Sequence, residues 1–305
     1  MLIPRPPISA NTPAWLRLIR PHHWTKNLLV FAPALTSSLI LEPDTLATAL
    51  LGFLAFCCAA STGYVINDLA DRDNDRDHPR KRYRPIASGE VTVVAAGAIG
   101  LTCLALATAT ALALNSKFSL LVLLYVFLTT TYSLFIKRLI YVDLIALVGL
   151  YLLRIAAGAA AIGVSVSAWL SWYASALFLS LACMKRCAEL AAAQKTNAKR
   201  VKGRAYTTQH LPRLLTIGLG AGLASIVTFG LYISNPASTE LYDSGVILWA
   251  VLAVFGCWIT GLWISTYAGR MTHDPIVFVF SNFWSILSLL GMLSLTLCAQ
   301  ISASV

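Results

Sequence analysis

The chain has 305 residues, of which 58% are hydrophobic and only 12% are charged, and its mean hydropathy is +0.73. A soluble globular domain carries about 25% charged residues, so this composition excludes an ordinary soluble enzyme, a disordered protein and a coiled coil. A polytopic membrane protein remains, and the net charge of +10 favours anionic partners such as lipid head groups, phosphorylated substrates or nucleic acid.

Nine apolar stretches are candidates for transmembrane helices, each of which needs about 20 mostly apolar residues to cross about 30 Å of hydrocarbon. They cover residues 28–42, 46–66, 91–114, 118–136, 139–163, 168–190, 212–234, 244–267 and 276–300. The first is short and contains Pro33, so we expect it to be tilted or irregular. The segment before it has no apolar run typical of a signal peptide. The pattern predicts an all-α bundle of nine transmembrane helices in a single domain, 1–305, with residues 1–27 as a cytoplasmic or interfacial segment.

The basic residues are divided very unevenly between the loops on the two sides of this bundle. If the N-terminus is cytoplasmic, all but two of the 23 Lys and Arg residues fall on the cytoplasmic side. The exceptions are Lys117, in an opposite loop, and Arg154, inside the stretch 139–163. This asymmetry follows the positive-inside rule and predicts a cytoplasmic N-terminus with the C-terminus outside. Much of the positive charge is therefore explained by orientation and lipid anchoring.

The acidic residues are concentrated at one place: five of the 13 lie within residues 68–77, directly after the stretch 46–66. If the helix continues at about 100° per residue, Asp73 and Asp77 point away from a shared face. That face carries Asp68, Asp71 and Asp75, with Asn67 at its margin. Three carboxylates repel one another unless a cation lies between them, and such oxygen ligands suit Mg²⁺ combined with substrate phosphates. A solvated helix end neutralised by neighbouring arginines is the alternative, although acids at a membrane boundary are usually functional.

Basic residues follow this acidic run immediately, in the order Arg80-Lys81-Arg82-Tyr83-Arg84-Pro85-Ile86-Ala87-Ser88-Gly89. Cations beside a magnesium site suit a phosphate or diphosphate ligand, because arginine binds phosphate oxygens bidentately. The two segments together predict a magnesium-dependent site for a phosphorylated ligand.

The pattern NDxxDxxxD at 67–75, followed by RPxxxG at 84–89, resembles the first signature of the UbiA superfamily of intramembrane prenyltransferases. The position of the motif after the second apolar stretch and the total of nine stretches extend the resemblance over essentially the whole chain. The resemblance implies a bundle of nine helices around a central cavity that opens to the cytoplasmic side and laterally to lipid.

A second acidic motif, which most members of that superfamily carry after the sixth helix, is missing. No aspartate occurs between Asp143 and Asp243, and the equivalent place reads Met184-Lys185-Arg186-Cys187-Ala188-Glu189-Leu190. This segment cannot hold a second Mg²⁺ in the same way, but it could bind an anion directly. Together with RPHHWTKN at 20–27 and HPxKRxRP at 78–85, it resembles the branch of decaprenyl-phosphate phosphoribosyltransferases. One segment departs from that branch: Ser281 and Asn282 stand where a basic–acidic pair is common.

The branch moves a 5-phosphoribosyl group from 5-phosphoribosyl-1-diphosphate (PRPP) to a polyprenyl phosphate and releases diphosphate. The resemblance therefore implies a glycosyltransferase (pentosyltransferase) of cell-wall biosynthesis in the bacterial plasma (inner) membrane, with its active site on the cytoplasmic side. The implied partners are PRPP, a decaprenyl-phosphate-like lipid, membrane lipids and Mg²⁺, but not nucleic acid. The isoprenoid length and the oligomeric state, a homo-oligomer included, stay open.

The residue pattern and the resemblance together suggest a role for each candidate residue. The Mg²⁺ ligands are Asn67, Asp68, Asp71 and Asp75, of which the three aspartates are catalytic. The expected phosphate-binding cations are Lys26, Lys81, Arg82, Arg84, Lys185 and Arg186. Three further substrate-binding candidates are Tyr64, Arg154 and Glu189. Each of these three has a structural alternative. Tyr64 could be an aromatic ring of the core, and Arg154 could be an internal partner for a carbonyl or an acid such as Asp143. Glu189 could form an ion pair at helical spacing. Tyr206, with Arg204, is a candidate cap of the site.

Rival functions come from the same fold and from other classes. A prenyltransferase acting on an aromatic acceptor would be expected to carry the second acidic cluster. A transporter would favour paired broken helices at the midplane and inverted repeats, neither of which is clear in the chain. Nucleic-acid binding is disfavoured because the cations follow the positive-inside pattern.

Overall fold

The computed structural model describes residues 12–77, 81–195, 204–236, 242, 245–271 and 274–301. The chain divides into two compact units. The first comprises Met1–Ile136 with Leu153–Ser165, and the second Lys137–Leu152 with Val166–Val305.

The first unit is built from helices whose starts are set by proline and by capping side chains. The helices are α1 (Ala14–Ile19), α2 (Ala32–Thr36), α3 (Pro43–Ala70), α4 (Arg72–Arg76), α5 (Val93–Leu114), α6 (Ser116–Leu134) and the C-terminal part of α7 (Val142–Ile162). Pro43 opens α3, where its missing N–H is not needed. Thr92 caps α5 by accepting a hydrogen bond from the Ala95 amide. Asn115 caps α6 through the Phe118 amide and also donates to the Ala160 carbonyl of α7.

The second unit contains the start of α7 and five further helices: α8 (Ala168–Lys195), α9 (Leu211–Ser234), α10 (Gly245–Tyr267), α11 (Pro275–Ser281) and α12 (Phe283–Ile301). Its packing depends on close approach at Gly218 of α9, where an added Cβ would lie 2.5 Å from the Trp263 ring and 2.7 Å from Cys183. Ser180 of α8 links these helices further, since it donates to the Gly218 carbonyl and accepts from the Trp263 indole.

Seven helices of the described residues are long and apolar enough to cross a membrane: Pro43–Ala70, Val93–Leu114, Ser116–Leu134, Val142–Ile162, Thr208–Ser234, Val246–Tyr267 and Phe283–Gln300. Each corresponds to one of the nine predicted stretches. The predicted stretch 168–190 is also one long helix, α8, which is less apolar and ends in charged residues. The total of nine spans and the opening of a cavity to the cytoplasm stay predictions.

The first predicted stretch, 28–42, does not form a long helix. Its residues belong to a 3₁₀ helix, Pro21–Phe31, followed by the short helix α2. Ser38 then turns the chain with a positive φ of 58°. The irregular backbone expected for this stretch is confirmed, and Pro33 lies in the first turn of α2, where its missing N–H is tolerated.

The last predicted stretch, 276–300, is broken into α11 and α12. Asn282 lies between them with an extended backbone, φ −102° and ψ 119°. Its side-chain oxygen accepts a hydrogen bond from the Ser285 amide at 3.1 Å and so starts α12. Asp274 does the same for α11 by accepting from the Ile276 amide. Asn282, which departs from the family pattern, therefore has a structural role as a helix cap.

A small hydrophobic cluster fixes the segments around the end of α3. It joins Leu18 of α1 and Val65 of α3 to Ile86 and Val91 in the turn before α5 and to Ala96 in the first turn of α5. Arg17 adds an ion pair with Glu90 in the same turn. The N-terminal helix and the turn after the acidic run are thus packed against the same helix end.

Candidate functional site

The acidic run remains helical past the end of α3. The Asp71 amide donates to the Asn67 carbonyl at 2.9 Å, and the Asp75 amide donates to the Asp71 carbonyl at 2.8 Å. Asp68 and Asp75 are consequently buried on one face, each 2% exposed. Asp73 and Asp77 are exposed, as the helical periodicity predicts, and Asp71 is half-buried.

Arg84 lies between the two buried carboxylates. Its Nη1 atom is 3.0 Å from Asp68 Oδ1 and 2.6 Å from Asp75 Oδ2, so both aspartates converge on a single nitrogen atom. Lys81 Nζ lies farther away, 3.9 Å from Asp75 Oδ1. We expected a cation between these carboxylates because they repel one another, and in this structure the cation is the guanidinium of Arg84.

Arg20 is a second cation at Asp68, and its part in the site was missed from the sequence. Its Nη2 atom donates to Asp68 Oδ1 at 2.6 Å and to Oδ2 at 2.7 Å. Arg20 has a left-handed backbone, φ 52° and ψ 62°, at the joint between α1 and the following 3₁₀ helix. Arg20 lies 48 residues before Asp68, so no local spacing links the two residues. The one sequence signal for Arg20 is its place in the motif RPHHWTKN.

The other predicted residues of the first unit surround this core at different depths. Tyr64 is half-buried, and the Arg20 guanidinium lies over its ring at 5.4 Å from the centroid. Arg82 is exposed and contacts the neighbouring Tyr83, whose hydroxyl is 2.8 Å from Nη2. Asn67 and Lys26 are half-buried. The predicted motif residues His78, Pro79 and Arg80 lie outside the described residues.

The donor set at the end of α3 fits Mg²⁺ that is shared with a phosphorylated ligand. The side chains that would hold the ion are Asp68 and Asp75, with Asp71 and the amide of Asn67 beside them. Within residues 12–77, 81–195 and the other described ranges, no three His, Cys, Asp or Glu side chains converge closely enough to chelate a metal alone. Mg²⁺ typically takes one or two carboxylates and completes its shell with water and phosphate oxygens, so two converging aspartates suffice.

The predicted cations of the second unit are both engaged by acids. Lys185 Nζ lies 2.6 Å from Asp274 Oδ2, with a quarter of the lysine side chain exposed. Arg186 is fully buried; its Nε is 2.8 Å from Asp143 Oδ2 and its Nη1 is 2.7 Å from Glu189 Oε2. Arg186 and Glu189 therefore form the structural ion pair that the sequence left as an alternative, which argues against direct substrate contact by Arg186.

A buried network extends from this pair to the segment before α9. Tyr206 donates to Asp143 Oδ1 at 2.5 Å and accepts from the Tyr141 amide. Burial and the bond to Asp143 raise the pKa of the Tyr206 phenol well above its ordinary value, so the hydroxyl stays a donor. Arg204 reaches both Asp143 and Glu189, at 3.5 and 3.4 Å. Tyr206 thus anchors the segment from within the network.

Arg154, the predicted intramembrane cation, is buried in the first unit. Its Nε donates to Asn27 Oδ1 at 3.0 Å, and its Nη2 donates to the Tyr125 hydroxyl at 2.7 Å. The guanidinium also lies over the Tyr125 ring, 4.6 Å from the centroid. Its described partners differ from the carbonyl or Asp143 considered from the sequence, since Asp143 pairs with Arg186. The contacts favour a structural role for Arg154.

The predicted site residues thus fall into three groups, one at the end of α3, one around Arg154 and one around Arg186. The second unit also has an open apolar groove of about 430 Å³, lined on α7, α8 and α9 by residues that include Val148, Trp172, Leu179 and Ala224. Its lining suits hydrocarbon rather than a polar ligand.

Comparison with known proteins identifies relatives over most of the chain. The uncharacterized protein y4nM of Sinorhizobium fredii is 34% identical over 269 residues, 88% of this chain, but this chain spans only 52% of its length. The nodulation protein NoeC of Azorhizobium caulinodans is 31% identical over 90% of this chain and 89% of its own. The decaprenyl-phosphate phosphoribosyltransferase of Corynebacterium glutamicum is 31% identical over 72% of this chain and 68% of its own.

The fold is also that of solved proteins. A UbiA homolog from Archaeoglobus fulgidus, determined with GPP and Mg²⁺ bound, superposes with a TM-score of 0.68 over 93% of this chain and 99% of that chain, at 22% identity. The family model of the UbiA prenyltransferase family matches residues 29–287, which include the acidic run, Arg84 and the Lys185–Arg186 segment. The chain therefore belongs to the UbiA prenyltransferase family.

Proposed function

We propose that this protein transfers the 5-phosphoribosyl group of PRPP to a polyprenyl phosphate, with Mg²⁺ as cofactor and diphosphate as the leaving group. The relatives named decaprenyl-phosphate phosphoribosyltransferase support this assignment. The chain spans only about half of the length of y4nM, and NoeC is named a nodulation protein. The substrate is therefore a proposal that goes beyond the family assignment.

The observation that carries the proposal is the asymmetry between the two units. The first unit offers two buried aspartates that converge on one partly exposed arginine. In the second unit, the described acids Asp143, Glu189 and Asp274 are each paired with Lys or Arg. Among the described residues, the bridging arginine of the second unit, Arg186, is 1% exposed, whereas Arg84 of the first unit is 23% exposed. A second accessible carboxylate pair for a prenyl diphosphate is therefore lacking there, while Lys185 is partly exposed beside Asp274.

The donor is proposed to bind at the end of α3. Asp68, Asp71 and Asp75, with Asn67, would hold Mg²⁺, which when bound neutralises charge on the diphosphate as it leaves. Arg20, Lys81 and Arg84 would bind diphosphate oxygens, because guanidinium groups match them bidentately. These residues would orient the ribose so that its C1–O bond to diphosphate faces away from the incoming acceptor.

The acceptor needs little activation by the protein. Its phosphate oxygen is already anionic, so no strong general base is required, and attack at C1 as the diphosphate departs gives inversion. Lys185 is the proposed contact for the acceptor phosphate, and an apolar surface of the helices would take the isoprenoid chain. Arg186, being fully buried in an ion pair, is assigned to holding this segment in place.

The test is a transfer assay with two donors in parallel. Purified protein in detergent receives Mg²⁺, polyprenyl phosphate and PRPP labelled in the ribose; a second reaction receives a labelled prenyl diphosphate and 4-hydroxybenzoate. Label from PRPP is expected in the lipid fraction, and only when Mg²⁺ is present. Prenylation of the aromatic acid without transfer from PRPP would instead assign the prenyltransferase activity that the family name describes.

A further inference from the structure

We propose that Arg20 and Arg84 exchange partners when the donor binds: they neutralise Asp68 and Asp75 in the substrate-free protein and move to the diphosphate as a divalent cation takes their place. The inference rests on the proposed function only in requiring a ligand with a diphosphate group. It assigns the two arginines a binding role that links metal binding to diphosphate binding.

The first support is that the carboxylate oxygens a metal would use are already occupied. Asp68 accepts from Arg20 through both of its oxygens, and Oδ1 also accepts from Arg84. Asp75 accepts from Arg84 at 2.6 Å. The lone pairs that point at these guanidinium groups cannot at the same time coordinate an ion, so an ion that binds between the two carboxylates takes the place that Arg84 occupies.

The second support is the contrast in exposure between the acids and the arginines. The side chains of Asp68 and Asp75 are 1% and 3% exposed, whereas those of Arg20 and Arg84 are 17% and 23% exposed. A buried carboxylate that loses its counter-charge is strongly destabilised. The arginines reach solvent, so they can swing outward, but only when another cation replaces them at the acids.

The third support is the comparison with Arg186, which also joins two acids. Arg186 is 1% exposed and is enclosed by Asp143, Glu189 and the segment of Tyr206. Among the described residues, the Arg186 and Asp143 side chains are thus closed to solvent, at 1% and 0% exposure. Arg84 makes the same kind of bridge at an accessible place, next to a run of basic residues suited to phosphate.

The chemistry of the exchange makes the two ligands cooperative. A metal alone must displace arginines that then have no anion, and a diphosphate alone must draw them away from carboxylates that then have no cation. When both bind, every charge regains a partner, and guanidinium groups bind phosphate oxygens bidentately. By linkage, diphosphate must then raise the affinity for the metal, and the metal must raise the affinity for diphosphate by the same factor.

The experiment measures binding of Mn²⁺, as a paramagnetic substitute for Mg²⁺, by electron paramagnetic resonance of the detergent-purified full-length chain. Titrations are made with and without inorganic pyrophosphate, with free Mn²⁺ and pyrophosphate corrected for their own complex. In the wild-type protein, pyrophosphate is expected to tighten Mn²⁺ binding by about tenfold or more, within the usual range of coupling between sites.

The decisive variant is Arg84→Gln, with Arg76→Gln as its matched control. Both remove one positive charge from the same segment, but Arg76 contacts the exposed Asp73 at 3.6 Å and the Ala87 carbonyl at 3.4 Å, and neither buried acid. Arg84→Gln is expected to bind Mn²⁺ alone about tenfold more tightly than wild type and to lose most of the effect of pyrophosphate. Arg76→Gln is expected to retain the wild-type coupling. Coupling that is unchanged in Arg84→Gln, or that falls equally in both variants, would overturn the proposal.

Arg84→Lys and Arg20→Gln keep the test decisive if Arg84→Gln does not fold. In Arg84→Lys, the lysine retains the charge but cannot bind phosphate bidentately, so the coupling between pyrophosphate and Mn²⁺ is expected to fall severalfold. Arg20→Gln is expected to weaken the coupling as well. Full coupling in both variants would overturn the proposal. Because pyrophosphate is the probe, the result does not depend on which diphosphate is the donor. Failure of transfer from PRPP with intact coupling would reject only the proposed substrate.

Discussion

The guanidinium of Arg186 and the carboxylate of Asp143 form an ion pair that is closed to solvent, with Nε 2.8 Å from Oδ2. Tyr206 uses the other carboxylate oxygen, and Glu189 binds Nη1 of the same arginine. The pair therefore connects the start of α7, the end of α8 and the segment before α9. Because both side chains are buried, such a connection is costly to break: removal of either partner would leave an uncompensated buried charge.

Removing one partner of this pair is expected to destabilise the protein strongly. Arg186→Met should lower the free energy of unfolding by about 3–5 kcal/mol, which is the usual effect of leaving one member of a buried ion pair without its partner. Loss of helical circular dichroism on heating in detergent measures the change. The exposed Arg270→Met is the control and should melt like wild type. An Arg186→Met protein as stable as the control would show that the pair does not hold the unit together.

The contact between α7 and the N-terminal 3₁₀ helix depends on Gly158. A Cβ atom at this position would overlap the Val30 carbonyl group, with the carbonyl carbon only 2.8 Å away. Since the obstacle is backbone, it cannot be relieved by turning a side chain. Gly158→Ala is therefore expected to destabilise the protein by about 1–3 kcal/mol, as overpacking does, and to lower the melting temperature.

Gly149 on the same helix provides the matched control. It is exposed, and a Cβ there would meet nothing within 4 Å among the described residues. Gly149→Ala should therefore stabilise α7 slightly, by up to about 1 kcal/mol, because alanine has the higher helix propensity. Equal effects of the two substitutions on melting would contradict the close approach at Gly158.

The acidic site gives a prediction about activity. Asp68→Asn keeps the shape of the side chain but removes a charge that is expected to help hold Mg²⁺. A bound metal ion stabilises developing charge by several kcal/mol. We therefore expect a loss of about 3 kcal/mol, which corresponds to a transfer rate about 100-fold lower. Initial rates of label transfer to lipid measure it. Asp73→Asn, at an exposed side chain in the same run, should remain close to wild type. Substantial activity in Asp68→Asn would reject the metal assignment.

Most of the helical fold could be predicted from the sequence because the hydrocarbon core imposes long apolar runs. Seven of the predicted stretches coincide with single long helices, and an eighth contains the long helix α12 after a break. The exceptions come from local backbone chemistry that hydropathy does not register. The first stretch changes from a 3₁₀ helix to the short helix α2 and then turns at Ser38, and the Asn282 cap divides the last stretch.

The candidate site could be predicted only where its residues are close in sequence. Helical periodicity placed Asp68 and Asp75 on the buried face and Asp73 on the exposed one. Contacts between residues that are distant along the chain, such as Arg20 and Asp68, depend on tertiary packing. They produce no regular spacing in the sequence from which they could be predicted. The same limit applies to the partner of Arg186, since Asp143 is 43 residues away along the chain.

Arg154 leads to the last prediction, which separates a structural role from substrate binding. The Tyr125 hydroxyl accepts from its Nη2 at 2.7 Å in a buried setting, and a hydrogen bond to a charged group contributes about 1.5–3 kcal/mol. Tyr125→Phe keeps the ring beneath the guanidinium but removes this bond, so the melting temperature should fall while the KM for each substrate stays constant. Tyr267→Phe, at an exposed ring of α10, should change neither quantity. A raised KM at unchanged stability would instead place Arg154 at the substrate, as the sequence had suggested.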